Sequence, residues 1–227
     1  MSLLVIADHA SNAVPPGVDL GIPDALMREH IAVDIGAGAL AQAISARLGC
    51  SYVLGAVSRL VIDLNREEDS PGLIPAISDG YVVLGNVGLS TEERERRLAT
   101  WHRPYHDGIT GQIERDGHDF LVSVHSFTPA LASRVEPRPW TVGILYNSDD
   151  RAARIALALL RADGIAVGDN EPYSGRDLNY TMNRHAEARG LPYLGFEVRQ
   201  DELATEAVIE KWADRLARVV EATRERL

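Results

Sequence analysis

The sequence predicts a three-layer α/β/α sandwich around a mainly parallel or mixed sheet. Two observations carry this expectation. Short apolar runs of strand length alternate along the chain with longer stretches whose apolar residues recur at helical spacing. Several of those runs are apolar at consecutive positions, as strands covered on both faces are. The absence of an internal repeat, a low-complexity tract or a linker places residues 1–227 in one domain.

The elements follow in order. Leu3-Leu4-Val5-Ile6-Ala7 reads as a buried strand that delivers His9 at its carboxyl end. A loop marked by Pro15-Pro16-Gly17 leads to a helical stretch opened by Pro23-Asp24. Leu40, Ile44 and Leu48 then define an amphipathic helix that ends at Gly49. Tyr52 to Val57 is a second strand, and the apolar run from Leu60 to Leu64 reads as a third. Residues 67–88 show little periodicity and form a connection long enough to be a lid or a wall of a site. Ser90 caps a helix with Glu92 and Glu93 in its first turn, running to Ile113 despite Pro104. Phe120–Phe127 and Thr141–Asn147 are further strands, with a helix from Ala152 to Leu160 after the second. Ile165–Val167 is a short strand, Leu178–Ala188 a helix and Tyr193–Arg199 the last strand. Val208, Ile209, Trp212, Leu216 and Val219 mark the long closing helix Glu206–Arg224.

Composition narrows the function. A net charge of −10, without a basic stripe, argues against nucleic-acid binding. It also means that an anionic substrate must be caught by local arginines. The single cysteine, Cys50, cannot form an intrachain disulfide and reads as packing. With no apolar run near the roughly 20 residues of a membrane span, and no signal-peptide pattern, the expectation is a cytoplasmic protein with no membrane partner.

Three strands end in ionisable residues, His9, His125 and Glu197. Ligand sites of α/β sheets lie outside the carboxyl ends of strands, so all three can emerge on one rim. Two neutral imidazoles and a carboxylate are a donor set that catalytic zinc accepts, with a further position for water. The third ligand has two candidates. Asn12 occupies the place where a compact H-x-x-E pair would carry its carboxylate, but an amide is the poorer zinc ligand. Asp34, at the start of the next helix, is preferred, its alternative being a helix cap. Asn65-Arg66 suits a substrate carboxylate, since a guanidinium fork binds carboxylates bidentately. The alternative for Arg66 is a surface pair with Glu67, Glu68 or Asp69. His102 and His106 lie at i, i+4, but without an H-E-x-x-H glutamate they read first as site-lining or structural. Ser11 and Ser126 lack the G-x-S-x-G elbow of a serine nucleophile.

Six motifs in order, Asp8-His9-Ala10-Ser11-Asn12, Asp34-Ile35-Gly36-Ala37, Arg59 through Asp63-Leu64-Asn65-Arg66, Trp101-His102-Arg103-Pro104-Tyr105-His106, Ser123-Val124-His125-Ser126-Phe127 and Phe196-Glu197-Val198-Arg199, resemble the N-formylglutamate amidohydrolase family. The resemblance spans nearly the whole chain. It implies a zinc-exopeptidase-like (phosphorylase/hydrolase-like) sandwich, akin to the zinc carboxypeptidases and aminoacylase-like hydrolases. It implies one Zn²⁺ per chain and hydrolysis of an N-formyl or other short N-acyl amino acid, such as N-formyl-L-glutamate. In that scheme His9, Asp34 and His125 hold the metal and Glu197 is the general acid–base. Arg59 stabilises the oxyanion, Asn65 and Arg66 hold the α-carboxylate, and Arg199 takes a side-chain carboxylate unless it pairs with Glu197 or Asp201. The chain departs from the carboxypeptidase pattern at Asn12, where H-x-x-E would need glutamate. Two other readings stand beside this one: a hydrolase of a different N-acyl amino acid or small peptide, and a non-catalytic binding protein for an acidic amino acid derivative.

Overall fold

The computed structural model describes residues 2–227. The opening apolar run forms β1 (Ser2–Ala7). The helix α1 (Ala37–Leu48) stops at Gly49, whose φ of 59° is the left-handed geometry that glycine adopts without strain. The strand β2 (Ser51–Leu54) follows. After the small hairpin β3 (Ile77–Ser78) and β4 (Tyr81–Val82) come α2 (Thr91–Arg97), α3 (Arg103–Asp116) and β5 (His118–Phe127). Then follow β6 (Val142–Leu145), α4 (Arg151–Ala162), β7 (Val167–Asp169), α5 (Tyr180–His185), β8 (Tyr193–Arg199) and α6 (Glu206–Arg224).

The main sheet runs β2-β1-β5-β8-β6-β7. Its first four strands are parallel, β6 is antiparallel to β8, and β7 is parallel to β6. The sheet is therefore mixed and mostly parallel, and β1, β5 and β8 point their carboxyl ends at one rim. The connections from β1 through α1 to β2, and from β2 through α3 to β5, lead in opposite directions along the sheet. Right-handed crossovers then place α1 and α3 on opposite faces. The helices α1, α6 and α4 pack side by side, while α3 lies on β5 with α5 against it. Central strands are apolar on both faces, with Leu4, Val5, Ile6, Leu121, Val122, Leu194 and Phe196 all fully buried. Among the described residues no helix is long and apolar enough to cross a membrane.

Three expectations from the sequence need correction. The run Leu60–Leu64 is buried but is not a strand. Ser58 winds it into a turn: its Oγ accepts from Leu60 N and donates to Ala32 O, while its carbonyl accepts from Val61 N. The run fills a second core cluster with Leu20, Ile31, Val57, Leu73, Val83 and Leu98. Periodicity alone does not separate these outcomes for a short apolar run. The stretch after Pro23 yields only the 3₁₀ turn Leu26–Arg28. The helix around Pro104 is continuous only through a π turn at Leu98–His102, closed by the N–H of Arg103 donating to Leu98 O, and the proline follows directly as the second residue of α3.

One glycine couples the sheet to the rim. A Cβ on Gly55, just after β2, would lie 1.8 Å from the carbonyl oxygen of Asp8 at the end of β1. Gly55→Ala is therefore expected to destabilise the fold by about 1–3 kcal/mol through overpacking against backbone. Chemical denaturation reads this as a lower midpoint, and an unchanged midpoint would contradict it.

Candidate metal centre and its cavity

Four chain segments build the rim. Asp8 and His9 continue directly from β1. His125 on β5 and Glu197 on β8 are register partners, so their side chains rise next to each other from adjacent strands. Asp34 precedes α1, and its N–H donates to the carbonyl of His9, which draws the start of that helix over the end of β1. Its side chain does not cap α1, whose N-cap is Gly36.

The carboxylate of Asp34 lies between two imidazoles. Its Oδ2 is 3.2 Å from His9 Nδ1 and 2.8 Å from His125 Nδ1, and the two rings are 5.1 Å apart. These donors lie within 4.8 Å of one another and are buried. Each imidazole is backed by another carboxylate on its far nitrogen. His9 Nε2 donates to Asp63 Oδ1 at 2.7 Å, and His125 Nε2 lies 3.3 Å from Asp8 Oδ2. Asp8 is held in turn by hydroxyl donors from Tyr105 (2.8 Å) and Thr181 (2.9 Å). Arg59 bridges two of the acids, with Nη1 3.0 Å from Asp34 Oδ1 and Nη2 2.9 Å from Asp63 Oδ2.

Charge in this cluster is unbalanced. Asp8, Asp34, Asp63 and Glu197 surround one guanidinium and two imidazoles. Burial opposes ionisation of Asp34, but the neighbouring charges of His9 and Arg59 and the imidazole hydrogen bonds outweigh it and hold the group far below the carboxylate range. Burial pushes Glu197 up to about 7, partly offset by His125. Glu197 Oε2 is buried and has no hydrogen-bond partner.

These residues fit a divalent ion. With each imidazole neutral and its proton on the Nε2 that faces Asp63 or Asp8, two Nδ1 lone pairs and one carboxylate oxygen would converge on a bound ion. A carboxylate behind each ligating histidine is the usual arrangement that fixes ring orientation and tautomer at a metal. With the imidazoles neutral, as metal ligation requires, a dication would also offset the carboxylates that surround them.

The cluster forms one wall of a cavity of about 340 Å³ that is also lined by Arg59, Asn65, Arg66, Tyr173 and Glu197. Asn65 Oδ1 accepts from Thr181 N at 2.9 Å, which leaves its Nδ2 for the cavity. Arg66 makes only a 3.2 Å bond to its neighbour's carbonyl and has no acidic partner among the described residues. The expected alternative is absent because Glu68 is taken by Arg103 at 2.7 Å. From the long 67–88 segment, Ser78 and Asp79 line the cavity. Asp79 accepts from Ala132 N (2.7 Å) and Ser133 N (2.9 Å), fastening the hairpin to the opposite wall.

The structure thus brings His9, Asp34, Arg59, Asn65, Arg66, His125 and Glu197 to one cavity, and leaves two candidates out. Asn12 is turned away, donating to Met27 O at 2.9 Å. Arg199, expected at a substrate carboxylate, does not line the cavity. Its guanidinium forks onto Asp201 at 2.7 and 3.1 Å and also donates to the carbonyls of Arg138 and Trp140. Sequence reasoning passed over Asp8, Asp63 and Tyr173. The first two carried a usable signal, since each ends an apolar run, and Asp8 stands directly beside His9. Tyr173, whose hydroxyl accepts from the buried Arg138 at 3.1 Å, carried none.

Fold and site together define an α/β protein with a two-histidine, one-carboxylate centre at the carboxyl ends of parallel strands. A family model described as N-formylglutamate amidohydrolase matches residues 1–204. The chain belongs to the N-formylglutamate amidohydrolase family. An N-formylglutamate deformylase from Pseudomonas putida is 38% identical over 93 residues, a match spanning 35% of this chain and 35% of the relative's length. A crystal structure of an Agrobacterium tumefaciens gene product is 31% identical with a TM-score of 0.92, covering 99% of this chain and 90% of that one. The crystal structure of N-formylglutamate amidohydrolase from Ralstonia eutropha has a TM-score of 0.77 at 20% identity, over 99% of this chain and 94% of that one, and speaks to the fold.

The donor set predicts one divalent ion per chain. Metal analysis should find it in the wild type and find it lost in His9→Ala and in His125→Ala. An ion retained by both variants would place the site elsewhere.

Proposed function

We propose that the protein is a metal-dependent amidohydrolase that cleaves an N-formyl, or other short N-acyl, amino acid, with N-formyl-L-glutamate as the first substrate to test. The observation that carries this reading is the presence, on one cavity, of a dication-type donor set, a buried carboxylate with a free oxygen and an Asn-Arg with no acidic partner among the described residues. Family membership favours the same substrate class.

His9 Nδ1, His125 Nδ1 and Asp34 Oδ2 would hold the ion, with zinc the metal that this donor set suits best. When bound, the ion supplies Lewis acidity that acidifies a water and polarises the acyl oxygen. Asp63 and Asp8 keep both imidazoles in the tautomer that presents Nδ1 inward. Arg66 and the Nδ2 of Asn65 bind the α-carboxylate, which sets the scissile amide against Glu197. Glu197 takes a proton from water as the water oxygen bonds to the acyl carbon. It then delivers that proton to the nitrogen as the C–N bond breaks, giving formate and the free amino acid. A carboxyl raised to about 7 by burial is suited to both transfers near neutral pH. Arg59, with both terminal nitrogens committed to Asp34 and Asp63, acts on the oxyanion as a fixed positive charge. Arg134, which also lines the cavity, is exposed and paired with Glu136 at 2.9 Å. Asn12, whose amide motivates the alternative of a non-catalytic binding protein, donates to Met27 O and does not join the donor set.

Formate release from N-formyl-L-glutamate tests the reading. Glu197→Gln is expected to lower kcat by about 10²- to 10⁴-fold while keeping its metal. Loss of the ion in that variant would make Glu197 a ligand instead. Arg66→Ala should raise KM much more than it lowers kcat, by about 10- to 100-fold for a lost charge-assisted contact. Arg199→Ala should leave both constants within about twofold, since its guanidinium is spent on Asp201. A large KM effect there would restore Arg199 to the substrate.

A further inference from the structure

Three histidines outside the metal centre lie in one buried cluster that the proposed chemistry does not use. His102 and His106, from the i, i+4 motif, and His185 on α5 are all fully buried. His102 Nε2 lies 2.9 Å from the carbonyl oxygen of Arg66, and His106 Nε2 lies 2.9 Å from that of Leu64. The two rings are 4.6 Å apart, and Tyr180 packs on both. His106 Nδ1 is 2.9 Å from His185 Nε2, with those rings stacked at 17°.

The chemistry of the partners fixes every proton. A carbonyl oxygen only accepts, so His102 and His106 each carry the proton on Nε2. In the neutral His106 ring, Nδ1 is then an acceptor, and His185 must donate from Nε2. That leaves His185 Nδ1 to accept from Thr110 Oγ1, 3.5 Å away. Burial holds all three rings neutral, pushing His106 down to about 4 and His185 to about 3. Among the described residues only His9, Asp34 and His125 converge as a metal donor set; here His106 Nδ1 is taken by His185.

We infer that His102, His106 and His185 are positioning residues that clamp the Leu64–Arg66 backbone so that Asn65 and Arg66 face a substrate α-carboxylate. The inference rests on the carboxylate-binding part of the proposed function. The clamp acts on both sides of Asn65, through the carbonyl before it and the carbonyl after it. Other bonds close the frame: Asn65 N donates to Asp63 Oδ1 at 2.9 Å, and Asn65 Oδ1 is held by Thr181 N on α5, the helix that carries His185. Only the Asn65 Nδ2 and the Arg66 guanidinium are left facing the cavity. The π turn at Leu98–His102 sets His102 just ahead of α3 and His106 within it, which brings both rings onto neighbouring carbonyls of one segment.

The test compares wild type, His102→Leu and His102→Gln, the glutamine keeping an N–H donor at a similar reach. His106→Gln serves as a second variant. Substrates are N-formyl-L-glutamate and N-formyl-4-aminobutyrate, which lacks only the α-carboxylate, with metal content measured alongside. His102→Leu is expected to raise KM for N-formyl-L-glutamate about tenfold, in line with a lost positioning hydrogen bond. Its kcat and metal should be little changed and its kinetics on N-formyl-4-aminobutyrate should match wild type. Both glutamine variants should recover most of the KM. Equal losses on the two substrates, an unchanged KM, or glutamine behaving like leucine would each overturn the inference. If the wild type hydrolyses neither substrate, the amidohydrolase reading falls by itself, and calorimetric binding of L-glutamate decides the clamp. Weaker binding by His102→Leu than by His102→Gln supports it, while equal affinities or no binding by any form overturn it.

Discussion

Everything at the rim depends on one carboxylate oxygen shared by two imidazoles. Asp34 Oδ2 lies within 3.2 Å of both His9 Nδ1 and His125 Nδ1, so two distant stretches of chain must meet a third with little room for error. Burying so much negative charge is unfavourable unless each group is paired, and the pairing here is nearly complete. Arg59 joins Asp34 to Asp63, Asp63 joins His9 to Asn65 N, and Asp8 joins His125 to Tyr105 and Thr181. Among the described residues two oxygens stand apart: Glu197 Oε2 has no hydrogen-bond partner, and Asp8 Oδ2 has only His125 Nε2 at 3.3 Å. A closely paired frame around the unsatisfied Glu197 oxygen suits a site whose structure is to be rigid and whose proposed proton acceptor is to be free.

The fold makes that geometry inexpensive in conformational terms. Parallel pairing of β1, β5 and β8 aligns their carboxyl ends, and direct register puts His125 beside Glu197 without any loop to order. The glycine at 55 lets the chain after β2 come against the carbonyl of Asp8. On the other side, the 60–66 turn carries Asp63, Asn65 and Arg66 on a segment anchored by its own apolar residues in the second core cluster. The groups proposed to carry the chemistry therefore sit on strands and on a packed turn, where supporting contacts hold them more closely than a free loop would.

How much of this was legible follows from the range of each interaction. Strands with consecutive apolar residues and the amphipathic α6 announce themselves locally, and β8 and α6 have the boundaries that their patterns suggested. His9, His125 and Glu197 were readable because each closes or nears the end of such a run. Asp63 also ends an apolar run, but that run marks the residue and not its role, which comes from His9, 54 positions away in sequence. The run at 60–64 misled because apolar burial looks alike in a strand and in a packed turn, and Ser58 decides between them through bonds to Ala32. Arg199 misled for the opposite reason. An arginine beside a site glutamate reads as functional, yet Asp201 two residues on offers it a nearer bidentate partner.

The central claim is that this cavity hydrolyses an N-formyl amino acid only with a cation seated between His9, Asp34 and His125. The most direct measurement strips the protein with chelator, restores zinc stepwise, and follows formate release from N-formyl-L-glutamate against bound metal in the same samples. Activity that vanishes on stripping and returns in proportion to zinc, levelling at about one ion per chain, is the predicted result. Undiminished formate release from metal-free protein would contradict the account, and so would a fully loaded protein that released none.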